Sequence, residues 1–390
     1  MDLDAFRWLL TAPGQALLAW TAEVRADHGD DLVRTASALR SAASAEQAAA
    51  ALTQVEFRSR AVPKFGEDAA RMYFTPEGLE QSTTARVARH RAARVAASRP
   101  TSVLDLGCGI GGDLVAFARA GLVAAGVDRD ELRVEVARAN LAALELGGAV
   151  QVADAEDVDA AGFGVVFADP ARRTARGRVF DVEGWSPPWP FVLELLGRPA
   201  CVKVAPGVPH HVLPPGEAEW VSDGGDVKEC ALWSPQLATV RRRATVIRGA
   251  GLSTVTDEDP VADGEREVGR YLFEPDGAVV RAGLVTAVAA AVRGGLVDEH
   301  IAYVTGDEPV RTPLARGYEV LEQLPYQEKA LKAALRARGV GRLTIKKRGV
   351  DVVPEELRKR LSLRGEAEAT LVMTRAAGRG TALLVSPLPR

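Results

Sequence analysis

Val103-Leu104-Asp105-Leu106-Gly107-Cys108-Gly109-Ile110-Gly111-Gly112-Asp113 decides how the middle of the chain is read. An apolar run of strand length enters glycines at 107, 109 and 111 and leaves as the amphipathic stretch Asp113 to Ala120. The chain therefore passes from strand through a tight turn into helix, bringing bare backbone within reach of a ligand. Outward from this segment the alternation repeats. Val123 to Val127 reads as a second strand, Glu131 to Leu146 as a helix, and Val150 to Val152 as a third strand. Gly164 to Ala168 is a fourth, and its Val165-Val166-Phe167 run predicts burial on both faces. Ala200 to Val204 gives a fifth, with Lys203 at its end facing the cleft, and Val227 to Trp233 and Arg243 to Ile247 extend the sheet. This texture predicts an α/β fold, a doubly wound Rossmann-like parallel sheet, over residues 99–250.

The flanks differ from this core. Residues 1–98 show helical periodicity, with Ser44 as a cap for the Ala-rich run to Leu52. Tyr73 and Phe74 are placed in a lid over the ligand. Thr84 to Arg99 reads as a helix whose Arg86, Arg89, His90, Arg91 and Arg94 form a solvated cationic face. Residues 251–308, with Tyr271-Leu272-Phe273-Glu274-Pro275 and an apolar helix Ala282 to Val292, read as a connector. Residues 309–390 alternate short strands (Gly317 to Leu324, Leu343 to Lys347, Ala369 to Thr374, Thr381 to Ser386) with helices (Tyr326 to Arg338, Pro354 to Leu363), a compact α+β module.

Composition narrows the class. With 390 residues, 47% hydrophobic and 26% charged, the chain is globular and long enough for two or three domains. Its start, Met1-Asp2-Leu3-Asp4, is acidic where a secretory signal is basic. The longest apolar stretch, Leu284 to Val292, is far shorter than the roughly 20 residues of a membrane span, so a cytoplasmic, unanchored protein is expected. Cys108, Cys201 and Cys230 lack Cys-x-x-Cys spacing, and His210-His211 has no third ligand nearby, so neither disulfide nor metal is expected. The net charge of −3 hides an asymmetry: residues 310–390 hold 17 Lys and Arg against 8 Asp and Glu, a net of +9, leaving 32 against 44 elsewhere, a net of −12. A basic tail of this kind suits a polyanion, through phosphate neutralisation and counterion release.

The glycines admit two ligands. A dinucleotide fingerprint spaces them G-x-G-x-x-G beneath a pyrophosphate. Here Asp105 stands two residues before Gly107, a poor neighbour for a pyrophosphate and a good one for a cationic amine. The pattern Asp105-x-Gly107-x-Gly109-x-Gly111 resembles the first motif of class I S-adenosylmethionine-dependent methyltransferases. That resemblance implies S-adenosyl-L-methionine as cofactor, Asp128 as the carboxylate on the ribose hydroxyls, Asp154 as the adenine contact, and Asp169-Pro170 at the mouth where the methyl acceptor sits. Methyl transfer from a sulfonium is an in-line displacement that needs positioning and no metal.

Asp169-Pro170-Ala171-Arg172 resembles part of the Asp/Asn-Pro-Pro-aromatic motif of amino-methylating enzymes, which implies that Asp169 accepts a hydrogen bond from an acceptor N–H. Ala171 and Arg172 depart from it. Arg172 and Arg173 read either as a phosphate clamp or as partners of the domain's acidic surface. Trp185 to Pro190 reads as a substrate-facing loop whose Trp185 and Trp189 stack on a base or pack internally. The whole chain is similar to a bacterial methyltransferase family with a carboxy-terminal THUMP-like domain, and THUMP domains bind RNA in other modification enzymes, which implies a tRNA or rRNA acceptor. Independently, Lys346-Lys347-Arg348 and Arg358-Lys359-Arg360 form two cationic clusters suited to phosphates. The expected function is RNA methylation. Two rivals stay open: a methyltransferase of a small molecule or protein, and a non-catalytic RNA-binding protein whose fold senses the cofactor.

Overall fold

The computed structural model describes residues 2–29, 31–172, 185–186 and 188–389; for Leu32, Ala171, Arg172, Trp185 and Ser186 the description stops at the backbone. The chain divides into two compact units, Met1–Gly216 with Ala231–Ala238, and Glu217–Cys230 with Thr239–Arg390.

The first unit opens with helices α1 (Leu3–Leu9), α2 (Ala12–His28), α3 (Leu32–Leu39), α4 (Ala45–Phe65), α5 (Pro76–Gln81) and α6 (Ala85–Ala97). Local chemistry starts them. Asp2 and Thr11 accept from backbone N–H groups of the first turns of α1 and α2, and Ser44 with Gln47 forms a full capping box on α4. Tyr73 and Phe74 are core residues and not a lid. Tyr73 meets Phe6 edge-on at 5.6 Å, and Phe74 packs on Phe65 at 5.5 Å. The reading of α6 as a solvated face also fails at Arg91, which is 1% exposed.

Strands β1 (Ser102–Leu106), β2 (Val123–Asp128), β3 (Ala149–Val152) and β4 (Val165–Ala168) follow, joined through α7 (Gly112–Arg119) and α8 (Glu131–Ala143). After them come the two-residue strands β5 (Ala171–Arg172) and β6 (Trp185–Ser186), helix α9 (Trp189–Leu195) and β7 (Ala200–Val204). The order β3-β2-β1-β4-β7 is parallel throughout, with Leu104 beside Ala125 on one side and Val166 on the other. The chain winds outward from β1 in one direction and then returns to build the other, which makes the sheet doubly wound and leaves a crevice at the carboxyl ends of β1 and β4. Every residue of β4 is buried, as its apolar run requires.

In the second unit β8 (Glu217–Asp223) runs parallel to β10 (Arg242–Arg248), which pairs antiparallel with β11 (Gly251–Thr256); β9 (Asp226–Trp233) begins in this unit and ends in the first. Sequence reading missed β8 because its acids look solvent-facing. They are buried and satisfied: Glu217 takes Arg243 Nε at 2.7 Å and Thr239 N at 3.0 Å, and Glu219 takes the Thr245 hydroxyl at 2.6 Å.

The remaining elements are β12 (Tyr271–Pro275), α10 (Gly277–Ala282), α11 (Val285–Ala291), β13 (Gly295–Leu296), β14 (Val304–Gly306), β15 (Ala315–Leu324), α12 (Glu328–Ala337), β16 (Val340–Lys347), α13 (Pro354–Leu361), β17 (Ala367–Ala376) and β18 (Arg379–Pro387). The apolar helix expected over Ala282 to Val292 is interrupted between α10 and α11, where Gly283 takes φ 69°. Seven strands form one sheet, ordered β13-β14-β12-β15-β18-β17-β16. Residues 251–308 thus contribute β12, β13 and β14 to the same sheet as the basic tail. Helices α12 and α13 bury Leu331, Leu335, Leu357 and Leu361 with Leu343, Ile345 and Leu371 of the sheet; Tyr303, Tyr318, Val372 and Val385 form a second apolar cluster. Among the described residues no helix is long and apolar enough to cross a membrane.

Candidate active site

The turn after β1 is pinned by two bonds: Gly107 N and Cys108 N both donate to Val127 O at 2.9 Å. Gly107, Gly109 and Gly111 all hold positive φ, at 82°, 56° and 84°. Only glycine takes these angles without strain. The reasons at two of the positions differ. A Cβ on Gly109 would meet nothing within 4 Å, so this residue keeps backbone open, whereas a Cβ on Gly111 would stand 3.2 Å from Ala137 Cβ on α8. Gly109 N donates to Asp128 Oδ2 and Asp130 N to Asp128 Oδ1, both at 3.0 Å, which fixes the carboxylate ending β2 against the loop.

A cleft of about 430 Å³ opens here, bounded by Asp105, the glycine turn, Asp128, Asp154, Asp169 and Lys203. It is of ligand-binding size. Asp154 caps the short turn after β3 through Glu156 N at 3.1 Å. The feature that stands apart is Asp105. It is 1% exposed, and among the described residues neither of its carboxylate oxygens has a hydrogen-bond partner. Burial, with the nearby carboxylates of Asp113, Asp169 and Asp128, holds its proton well past the usual carboxylate range, while Arg91 opposes the shift. An orphaned buried acid at the wall of a cleft is a place for a cationic donor.

Residues that sequence reading did not assign complete the site. Arg91 pairs with buried Asp113 and lies 4.5 Å from the Phe167 ring, placing a guanidinium among the acids. Gly78, Gln81, Ser82 and Thr83 form a wall of the cleft. That wall is held by Lys64, whose ammonium donates to the carbonyls of Leu79, Glu80 and Ser82 at 2.6, 2.7 and 3.1 Å. Asn140 on α8 accepts from Tyr73 N at 2.7 Å and donates to Tyr73 O and Ile110 O at 3.1 and 2.8 Å, tying helix, aromatic core and glycine turn together. Asn140→Ala should cost about 2–3 kcal/mol by orphaning those groups, seen as a lower urea midpoint. No motif marks Lys64 and Asn140, because the partners they reach are backbone atoms distant in sequence.

The other expected residues are placed as follows. Asp169 ends β4 and accepts from Lys203 Nζ at 2.5 Å; Lys203 also bonds Thr83 Oγ1 at 3.2 Å. Pro170 beside it is half-buried. Arg172 stands opposite Trp185 in the backbone pairing of β5 with β6, and Arg173 lies outside the described residues. Trp189 is half-buried at the start of α9, so Trp185 to Pro190 is not wholly a loop, and Trp189 does not line the cleft. Lys346, Lys347 and Arg348 do not form one cluster. Lys346 pairs with Glu274 at 2.7 Å, Arg348 donates to Ala302 O at 3.1 Å and covers the Tyr303 ring, and Lys347 alone is exposed, as strand alternation dictates.

A glycine turn at the crevice of a doubly wound sheet, with carboxylates at the ends of successive strands, defines a Rossmann-like ligand-binding domain. Comparisons with known proteins agree. Residues 103–173 match the family described as a methyltransferase domain, residues 315–387 a THUMP domain-like family, and residues 2–61 a domain of unknown function. Uncharacterized S-adenosylmethionine-dependent methyltransferases of two Mycobacterium tuberculosis strains, CDC 1551 and H37Rv, are each 40% identical over 335 residues, covering 82% of this chain and 90% of theirs. A candidate methyltransferase from Porphyromonas gingivalis W83 shares the fold, with TM-score 0.72, 23% identity, and coverage of 90% of this chain and 92% of that one. The chain belongs to the family of S-adenosylmethionine-dependent methyltransferases.

Proposed function

We propose that this methyltransferase modifies a nucleotide of RNA, tRNA or rRNA, with the catalytic cleft described above and the basic tail holding the nucleic acid. The observation that carries the cofactor half is the Asp105 carboxyl, which has no hydrogen-bond partner among the described residues, in the cleft that Gly109 keeps open. S-adenosylmethionine brings a methyl group made electrophilic by a sulfonium, together with a primary ammonium, a ribose and an adenine. The ammonium suits Asp105. Asp128 uses one acceptor site per oxygen on backbone N–H groups; a carboxylate has about four such sites, so it retains two for a pair of ribose hydroxyls. Asp154, which lines the cleft after β3, is the adenine contact in this reading. Asp169 and Pro170, at the carboxyl end of β4, hold the acceptor on the opposite side of the methyl group.

The RNA half is supported by the net of +9 in residues 310–390 and by the match of 315–387 to a THUMP domain-like family. Lys347, Lys359 and Arg364 are exposed there and suit phosphates, whereas Lys346 and Arg348 brace the sheet. Affinity for total tRNA should fall steeply with salt, and reversing Lys347, Lys359 and Arg364 to Glu should flatten the slope by roughly one unit for each phosphate no longer neutralised. Mass spectrometry of nucleosides from cells with and without the protein tests the activity. A methylated nucleoside missing from the second sample supports the proposal, and identical profiles refute it.

A further inference from the structure

Asp169 and Lys203 end adjacent parallel strands, β4 and β7, with Ala168 beside Val202 in register. Their side chains therefore reach the crevice side by side. Thr83 on the facing wall holds the ammonium from the other direction, and the Lys203 side chain is 17% exposed against 31% for Asp169. A carboxylate and an ammonium fixed next to each other place an acceptor and a donor side by side at the crevice wall.

We propose that Lys203 is a specificity-determining residue of the acceptor site, and that with Asp169 it reads the amidine edge of adenine or cytosine, so that the methylated atom is the exocyclic amino nitrogen. On that edge an amino group lies next to an unprotonated ring nitrogen: the amino N–H meets Asp169 and the ring nitrogen accepts from Lys203. The inference rests on the RNA reading above. Its chemistry balances. The amino lone pair forms the new N–C bond, the C–S bond breaks with its electrons passing to sulfur, and the surplus proton on nitrogen moves to Asp169 and then to water. An amino nitrogen becomes strongly acidic only once it carries the methyl group, so a carboxylate already tied to an ammonium is sufficient to receive the proton. A ring N–H of uracil or guanine instead has to be deprotonated as attack begins, which calls for an unencumbered base. Lys203 also explains how an amine can be gripped where Ala171 and Arg172 replace the second proline and the aromatic of the related motif.

The test incubates the full-length protein with S-adenosylmethionine and total RNA from cells lacking it, and identifies the product nucleoside by mass spectrometry. N6-methyladenosine or N4-methylcytidine is expected. Short transcripts around the modified position then carry 1-deaza-adenine or 3-deazacytosine, which lack the ring nitrogen. Wild type should lose about 10–100-fold in kcat/KM on this replacement, and Lys203→Met should show that loss on the normal transcript with no further loss on the deaza one. Cofactor affinity by calorimetry should be the same in wild type and variant. Methylation at a ring N–H, a carbon or the ribose, or an equal deaza penalty in Lys203→Met, overturns the role of Lys203 while leaving RNA methylation in place. Cofactor binding without methylation of any RNA overturns the RNA reading itself, and this inference with it.

Discussion

Replacing Asp105 by Asn should weaken S-adenosylmethionine binding by about 100-fold and at the same time make the protein more heat-stable at pH 8. The two effects share one cause. Asp105 is fully buried, without a hydrogen-bond partner among the described residues and near Asp113, Asp169 and Asp128, so its carboxyl keeps a proton well above the usual range. A native state that binds this proton more tightly than the unfolded chain loses stability as pH climbs through the unfolded carboxyl's pKa of about 4 and on through the raised native value. The Asn variant cannot ionise and escapes the loss. Its advantage should be absent at acid pH and grow on the alkaline side, measured as Tm across a pH series. The penalty appears in binding, because a neutral amide offers a cationic ammonium far less than a carboxylate does, and a charged partner lost from a buried site costs roughly 2–5 kcal/mol. A variant that binds normally would remove Asp105 from the cofactor site.

Arg91→Leu should destabilise the first unit by about 3–5 kcal/mol, the scale for breaking a buried ion pair from one side. Arg91 is buried against Asp113 and Phe167, and its loss leaves buried Asp113 without this counter-charge. Adding Asp113→Asn should recover much of the loss. Arg89→Leu, an exposed position on the same helix, should stay within about 0.5 kcal/mol of wild type. Urea midpoints of the four proteins measure this, and equal effects at positions 89 and 91 would contradict the assigned role.

The glycine turn, the succession of strands and helices around it and the carboxylates at the ends of β1, β2 and β4 were legible in the sequence because each is a local signal: period, turn residue, strand end. Arg91 was misread for the opposite reason. Five cations on one helix look like a solvated face, and nothing local tells that one of them turns inward to a buried Asp113 that is 22 residues away. Glu217 and Glu219 hid β8 in the same way, since acids argue against a buried strand until Arg243 and Thr245 are seen across it. The wall built from Gly78 to Thr83 depends on Lys64 reaching carbonyls 15 to 18 residues away. Backbone acceptors leave no residue-type trace. In the tail, Lys346-Lys347-Arg348 reads as a cluster only when strand alternation is ignored.

The central claim is that the cleft binds S-adenosylmethionine through the buried Asp105 carboxyl, which meets the ligand's ammonium. Titration calorimetry at pH 7 on wild type and Asp105→Asn measures this directly. Saturable binding by wild type, weakened by about 100-fold in Asp105→Asn, is the expected result. No heat with S-adenosylmethionine, or binding of a nicotinamide dinucleotide in its place, would contradict it.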